Sequence, residues 1–193
     1  PMLVRTLARF ESLGLIDGAV VTAPAEFRRE MEGVLQSAYP TSTFVVIDGG
    51  SERQMSVAKG LEALDDSTEI VVIHDAARPF VSPESVATSI AAAGEYGAAT
   101  VAIPSADTIL VGDADAFLTE TPERRFLWAC QTPQTFQVDV LRAAHEAARS
   151  EGFVGTDDAS LVRRTGRKVK LIEGTPLNFK ITTAGDLALA NCV

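Results

Sequence analysis

The sequence predicts an α/β domain: an open, doubly wound, mostly parallel (Rossmann-like) sheet with helices on both faces and an inserted β-hairpin dimerisation arm. Short, nearly continuous apolar strands alternate with amphipathic helices along the 193 residues. Strands of this kind are buried on both faces, which is typical of a parallel sheet covered by helices. The strand–helix units are too few for a barrel of eight. We therefore expect a single domain over residues 1–193, with the arm at about 105–136.

The first half of the chain gives regular signals. Leu3, Leu7 and Phe10 recur at helical spacing before Gly14 and predict a helix over 2–13. Apolar, β-branched runs predict strands at 18–22, 43–48, 69–74 and 98–103, with helices between them at about 25–37, 53–64 and 83–96. The last of these helices has the clearest start, because Ser82 can cap it and Pro83 suits its first position.

The alternation stops after residue 104. Thr108–Val111 and Phe117–Thr121 flank a Gly-Asp-Ala-Asp turn and predict a β-hairpin, followed by the extended stretch TPERRFLWACQTPQTF. An isolated hairpin is marginal in water, so we expect it to pack on a second copy of the chain; folding back on its own sheet is the alternative. Helices then follow at about 138–150, 157–164 and from 183, with strands at 168–173 and 177–181.

Composition excludes several functions. Lys and Arg number 17 and Asp and Glu 26, so the formal charge is −9 and the pI is about 4.7. That balance argues against nucleic acid or an anionic membrane as the main partner. We see no signal peptide and no apolar run of about 18 residues. Cys130 and Cys192 form no CxxC pair, which indicates incidental thiols in a reducing cytoplasm.

Candidate site residues lie where strands end, since ligands of such sheets bind beyond the carboxyl ends of the strands. Asp75 can hold a divalent cation, or can simply initiate a turn. Arg78 can grip a phosphate, or be held extended by Pro79. Gly49 and Gly50 let a backbone approach a ligand closely, or form a tight strand-to-helix turn.

Four further side chains complete the inventory. Lys180, with apolar neighbours in a predicted strand, can stabilise developing charge on a phosphate, or protect a sheet edge. Asp158 is expected to be an acidic first-turn residue of a capped helix, His74 a packed core residue and His145 a solvated one. An Asp, Arg and Lys set at one sheet edge favours an enzyme acting on a sugar or nucleotide phosphate, because phosphoryl transfer needs mainly positioning and charge neutralisation.

Taken together, several segments resemble the 2-C-methyl-D-erythritol 4-phosphate cytidylyltransferase family. They are PMLVRTL, GGSERQMSV, VIHDAARPF, PSADTI, TPERRFLWACQTPQTF, GTDDASLV and NFKITTAGDLALA, in that order. The resemblance implies CMP transfer from CTP to methylerythritol phosphate in non-mevalonate isoprenoid biosynthesis. It also implies a cytoplasmic homodimer.

The resemblance assigns roles to individual residues. Asp75 matches the Mg²⁺ ligand, and Lys180 matches a lysine that stabilises the α-phosphate transition state. The CTP positions are Gly49, Gly50, Ser56 and Ala76. The positions around the methylerythritol phosphate are Arg78, Thr108, Thr132 and Thr156. Arg124 matches an arm arginine that, in the family's dimer, helps to bind that phosphate across the interface.

One part of the family pattern is not in this sequence. The family begins with a strand and a loop resembling AAGxGxR…PK, and Pro1 falls just after it. We expect such a segment to precede Pro1 in the protein. The alternatives are a ribitol-5-phosphate cytidylyltransferase with the same nucleotide site, or, if the chain begins at Pro1, a non-catalytic nucleotide-binding or dimerisation module.

Overall fold

The computed structural model describes residues 1–41 and 43–193. Its strands and helices alternate along most of the chain, as expected. The strands are β1 (Ala19–Ala23), β2 (Phe44–Asp48), β3 (Ile70–Ile73), β4 (Ala98–Pro104), β5 (Val111–Gly112), β6 (Leu118–Glu120), β7 (Trp128–Gln137) and β8 (Lys170–Glu173). The α-helices are α1 (Met2–Glu11), α2 (Arg28–Ala38), α3 (Arg53–Glu62), α4 (Pro83–Tyr96), α5 (Val138–Ser150), α6 (Asp158–Arg164) and α7 (Ala184–Ala190).

The main sheet has the order β3-β7-β4-β8. Strands β4 and β8 are parallel, and β7 is antiparallel to both β3 and β4. A second, parallel pair is formed by β1 and β2. The predicted mostly parallel α/β architecture is confirmed, and the stretch before α5 supplies its reversed strand.

Helices cover both faces of the main sheet. Ala98 packs in a cluster with Phe136 and with Leu141 of α5, whereas the next residue, Ala99, packs with Ala92 of α4. Successive residues of a strand point to opposite faces, so α5 and α4 lie on opposite sides. Residues buried on both faces explain why the strands are apolar without alternation.

The caps of two helices match their sequence signals. The Ser82 hydroxyl accepts a hydrogen bond from the Ser85 amide at the start of α4, and Gly97, with φ of 84°, ends that helix. Thr183 and Asp186 form a capping box that opens α7. Each cap satisfies amide groups that the first turn leaves unpaired.

The insertion differs in extent from the predicted one. Strands β5 and β6 form a short antiparallel hairpin, and we call residues 105–127 the arm, because β7 runs from Trp128 into the main sheet. The Asp113 carboxylate closes the hairpin turn by accepting from the amides of Asp115 and Phe117. The arm exposes large apolar side chains, namely Ile109, Leu110, Val111, Phe117, Leu118 and Phe126.

The strand predicted at 177–181 is wrong. Asn178 lies in a turn, and its backbone amide donates to the Thr175 carbonyl. Its side chain is buried and donates to the Gln131 side chain and the Thr132 carbonyl. These bonds replace a sheet ladder. The segment instead joins the loop after β3, since the Ile181 amide donates to the Ala77 carbonyl.

Candidate active site

The loop after β3 is held by a chain of hydrogen bonds through His74. His74 Nε2 lies 3.0 Å from the Arg78 carbonyl oxygen, which can only accept, so Nε2 carries the proton. His74 Nδ1 therefore accepts from the Thr132 hydroxyl at 3.0 Å. That hydroxyl oxygen in turn accepts from the Asp75 amide at 3.1 Å. These three hydrogen bonds fix the backbone at Asp75.

His74 is a packed residue, as predicted. The ring of Phe10 lies edge-on to it with centroids 4.9 Å apart. Burial lowers the pKa of His74 from 6.5 to about 4, although the Arg78 carbonyl and the Asp75 charge favour the protonated ring. The imidazole is therefore neutral at neutral pH, as the hydrogen-bond chain requires.

Three cations surround the Asp75 carboxylate. Lys180 Nζ lies 3.1 Å from Asp75 Oδ2, Arg78 Nε lies 3.6 Å from the same oxygen, and Arg53 Nε lies 3.6 Å from Oδ1. Burial by itself raises the pKa of Asp75. The hydrogen bond and charge of Lys180, with the charges of Arg53 and Arg78, outweigh burial and hold that pKa below its usual value. Asp75 is thus a carboxylate at neutral pH.

Arg78 and Lys180 reach Asp75 because two loops are joined. The Arg78 amide donates to the Asp75 carbonyl, so the turn expected of Asp75 is present together with the charged cluster. Arg78 Nη1 donates to the Asn178 carbonyl at 2.7 Å, and Lys180 follows two residues later. Lys180 is the less enclosed of the two cations, with 44% of its side chain exposed against 13% for Arg78.

The Gly49–Gly50 turn after β2 is built around Ser56 of α3. The Gly50 amide donates to the Ser56 hydroxyl at 2.9 Å, and Lys59 donates to the Gly49 carbonyl at 2.8 Å. A Cβ on Gly50 would lie 2.3 Å from the Cβ of Met55. No side chain fits there without moving the helix backbone. The two glycines therefore form the tight strand-to-helix turn that the sequence offered as one of the two alternatives.

The remaining predicted residues lie in different surroundings. Thr132 is buried and its hydroxyl serves the His74 chain. The Ala76 carbonyl accepts from Thr6 of α1 at 2.7 Å. Arg124, at the base of the arm, donates to the Ala106 carbonyl at 3.0 Å and lines an open depression of about 670 Å³. Within residues 1–41 and 43–193, no hydrogen bond or ion pair joins Arg124, Thr108 or Thr156 to Asp75.

Arg53, Asp158 and His145 form a linked group that the sequence patterns did not reveal. Arg53 Nη1 lies 2.6 Å from Asp158 Oδ2, and His145 Nε2 lies 3.0 Å from Asp158 Oδ1. His145 is 8% exposed, so the expectation of a solvated histidine was wrong, whereas Asp158, which is fully buried, is the expected first-turn acid of a capped helix. The helical spacing of His145 with the apolar residues Leu141 and Ala148 was the available signal for its burial.

We call Asp75 and the three cations around it the Asp75 cluster. This cluster can neutralise a phosphate beside a carboxylate. Lys180, Arg78 and Arg53 supply positive charge, and Asp75 supplies the oxygen ligand that a divalent cation prefers. The part of the chain that the structure describes has no group of three or more His, Cys, Asp or Glu side chains placed to hold a metal by themselves. An α/β sheet with such a site at its strand ends suits an enzyme of phosphoryl or nucleotidyl transfer, a chemistry that needs mainly positioning and charge neutralisation.

The family model described as IspD, 2-C-methyl-D-erythritol 4-phosphate cytidylyltransferase, matches residues 1–193, and the chain belongs to that family. A cytidylyltransferase of that name from Caldanaerobacter subterraneus subsp. tengcongensis is 47% identical over 191 residues, 98% of this chain and 84% of the relative. One from Geobacter metallireducens is 43% identical, with 98% of this chain and 83% of the relative covered.

Solved structures agree with this assignment. The 4-diphosphocytidyl-2C-methyl-D-erythritol synthase of Anaerococcus prevotii superposes with a TM-score of 0.92 at 32% identity, over 99% of this chain and 84% of that one. The cytidylyltransferase of Thermus thermophilus gives 0.82 at 37% identity, over 99% and 87%. Among the described residues, no helix is both long enough and apolar enough to span a membrane.

Proposed function

We propose that this protein transfers CMP from CTP to 2-C-methyl-D-erythritol 4-phosphate. A phosphate oxygen of the acceptor attacks the α-phosphorus of CTP and forms a new P–O bond. The bond from the α-phosphorus to the bridging oxygen breaks, and pyrophosphate leaves with that electron pair. The products are 4-diphosphocytidyl-2-C-methyl-D-erythritol and pyrophosphate.

The observation that carries the proposal is the Asp75 carboxylate with Lys180, Arg78 and Arg53 around it. Both substrates are anionic, and the electrostatic repulsion between them must be offset by positive charge. Lys180 is the residue we assign to the α-phosphate, because its side chain is 44% exposed and its ammonium is held by an ion pair with Asp75. Moving to the phosphate, it would stabilise the charge that develops on the transferring group.

Asp75 fits a Mg²⁺ site of the kind completed by substrate. Mg²⁺ is commonly held by one or two carboxylates together with phosphate oxygens and water, and Asp75 offers one ionised carboxylate at the cluster. When bound with CTP, the ion would neutralise the triphosphate and orient its α-phosphorus. With Lys180 on the nucleotide, the Asp75 carboxylate would still lie beside Arg53 and Arg78.

The turn at Gly49, Gly50 and Ser56 is assigned to the cytosine ring. Its support is that two residues without side chains follow β2 and that the Ser56 hydroxyl, by accepting from the Gly50 amide, fixes their backbone. A backbone edge of this kind can read the hydrogen-bonding edge of a base. Ala76, exposed in the Asp75 loop, is assigned a contact with the same nucleotide.

The acceptor site is assigned to Arg78, Thr108, Thr132 and Thr156, with Arg124 contributed by the arm of a partner subunit. The argument for a dimer is the apolar surface of the arm, where Phe117 is 71% exposed and Leu118 is 62% exposed. Exposed apolar patches of this kind mark interaction sites. The two free cysteines, Cys130 and Cys192, support a cytoplasmic location.

The test is a reaction of the full-length protein with CTP, Mg²⁺ and methylerythritol phosphate, followed by pyrophosphate release and product mass. ATP, GTP and UTP in place of CTP test base selection. Ribitol 5-phosphate in place of methylerythritol phosphate tests acceptor selection. Preferential turnover of ribitol 5-phosphate would overturn the proposed acceptor, and absence of pyrophosphate release with every acceptor would overturn the proposed enzyme.

A further inference from the structure

Arg53 is a cation that bridges two carboxylates at the edge of the proposed site. Its Nη1 lies 2.6 Å from Asp158 Oδ2, and its Nε lies 3.6 Å from Asp75 Oδ1. A guanidinium can serve two partners at once because its donors are fixed in a planar fork. The residue begins α3, the helix that also carries Ser56.

The Asp158 end of this bridge is fixed. Asp158 is fully buried, its second oxygen lies 3.0 Å from His145 Nε2, and its amide donates to the buried Gln134 side chain at 3.0 Å. Moving Arg53 away would leave a buried carboxylate without its cation, which is costly. Arg53 therefore keeps its place when ligands enter.

The two oxygens of Asp75 are consequently held by cations of different freedom. Oδ1 faces the pinned Arg53, whereas Oδ2 faces Arg78, whose side chain is 13% exposed, and Lys180, whose side chain is 44% exposed. Lys180 can exchange Asp75 for a phosphate, and Asp75 then still has two counter-charges, Arg53 beside Oδ1 and Arg78 beside Oδ2. Because Arg53 begins the helix that carries Ser56, its ion pair with Asp75 also holds the Gly50–Ser56 turn at a fixed distance from the Asp75 loop.

We propose that Arg53, pinned by Asp158 and His145, is a positioning residue that holds Asp75 in place while Lys180 moves to the nucleotide. The inference rests on the proposed function and adds to it a group that acts through Asp75. Its loss should appear mainly in kcat, because the misplaced carboxylate matters most in the transition state.

The experiment compares Arg53→Lys, Asp158→Asn and their combination in the full-length protein. A lysine can pair with the buried Asp158 but not with both carboxylates, so Arg53→Lys keeps the fold and frees Asp75. We expect kcat to fall about 10- to 100-fold, with the KM for CTP changed less than about threefold. The combined variant should fall no further than the single ones, because both break one linkage.

Three controls separate positioning from stability. Arg164→Lys alters an exposed arginine of α6 that pairs with Glu151, and it should retain the wild-type kcat. Arg53→Gln with Asp158→Asn removes both charges together; it keeps the buried charge balanced and should show the same loss of kcat. Calorimetric titration with CTP in the absence of metal should give a Kd within about threefold of wild type for every variant.

Each result decides the question. A lower Tm with unchanged kcat in Arg53→Lys and in the charge-balanced double variant would overturn the inference and leave an ordinary structural ion pair. Losses of kcat that multiply in the combined variant would also overturn it. A wild-type protein that neither binds CTP nor forms the cytidylyl product would overturn the proposed function, and the inference with it.

Discussion

Replacing Lys180 with alanine separates a catalytic role from a structural one. Its ammonium lies 3.1 Å from Asp75 Oδ2, and at that distance two unit charges attract by about 1.3 kcal/mol in a water-like dielectric. Because 44% of the side chain is exposed, the cost of ordering it leaves a net contribution of about 1 kcal/mol or less. The melting temperature should therefore fall by no more than about 4 °C for a chain of this size.

The effect on catalysis should be far larger. Removing one donor that faces developing charge in a transition state lowers kcat by about 10²- to 10³-fold. The assay is steady-state pyrophosphate release with saturating CTP and methylerythritol phosphate, next to a thermal unfolding curve. Lys170→Ala is the matched control, because Lys170 is an exposed lysine whose contact is with the Tyr96 ring at 5.4 Å. A Lys180→Ala enzyme with wild-type kcat would refute the assignment of Lys180 to the α-phosphate.

Three further predictions concern the Gly49–Gly50 turn, the Asp75 loop and the arm. Gly50→Ala should raise the KM for CTP far more than Gly49→Ala, because the new Cβ would lie 2.3 Å from Met55 Cβ in Gly50→Ala and 3.0 Å from Ser56 Oγ in Gly49→Ala; equal KM values would contradict this. Desolvation lowers the pKa of His74 from 6.5 to about 4 in the folded protein. As the pH falls from about 6.5 toward 4, the unfolded chain therefore takes up a proton that the folded protein does not, and the free energy of unfolding decreases by about 3 kcal/mol. In urea unfolding, His74→Gln should lose this pH dependence of the unfolding free energy. An unchanged pH dependence would contradict the lowered pKa of His74. Phe117→Asp should convert the proposed dimer to a monomer in sedimentation velocity, since Phe117 is 71% exposed; a dimer that persists in this variant would exclude this face.

The sequence allowed the sheet edge and its charged residues to be predicted because their signals are local. Apolar runs identify strands, and Asp75 follows such a run directly, so its position at the end of β3 could be expected. The signals of capped helices are equally local, as at Ser82 of α4. These features depend on neighbouring residues alone, which explains why they could be inferred without a structure.

Other features depend on contacts between distant segments and could not be inferred. The strand at 177–181 fails because buried Asn178 bonds with Gln131 and Thr132, far away in sequence. Likewise, the charge of Asp158 is buried only because Arg53 and His145 approach it from two other helices. A pattern of acids at a helix start predicts their place in the first turn, as found for Asp158, but only the tertiary structure reveals the partners that permit its burial.

The proposed function is tested most directly by the product that the full-length protein forms from CTP and methylerythritol phosphate with Mg²⁺. We predict stoichiometric pyrophosphate and a product with the mass of 4-diphosphocytidyl-2-C-methyl-D-erythritol, with little turnover of other nucleotides or of ribitol 5-phosphate. Preferential turnover of another acceptor, or no transfer of CMP at all, would contradict the assignment of the Asp75 cluster as the site of this cytidylyl transfer.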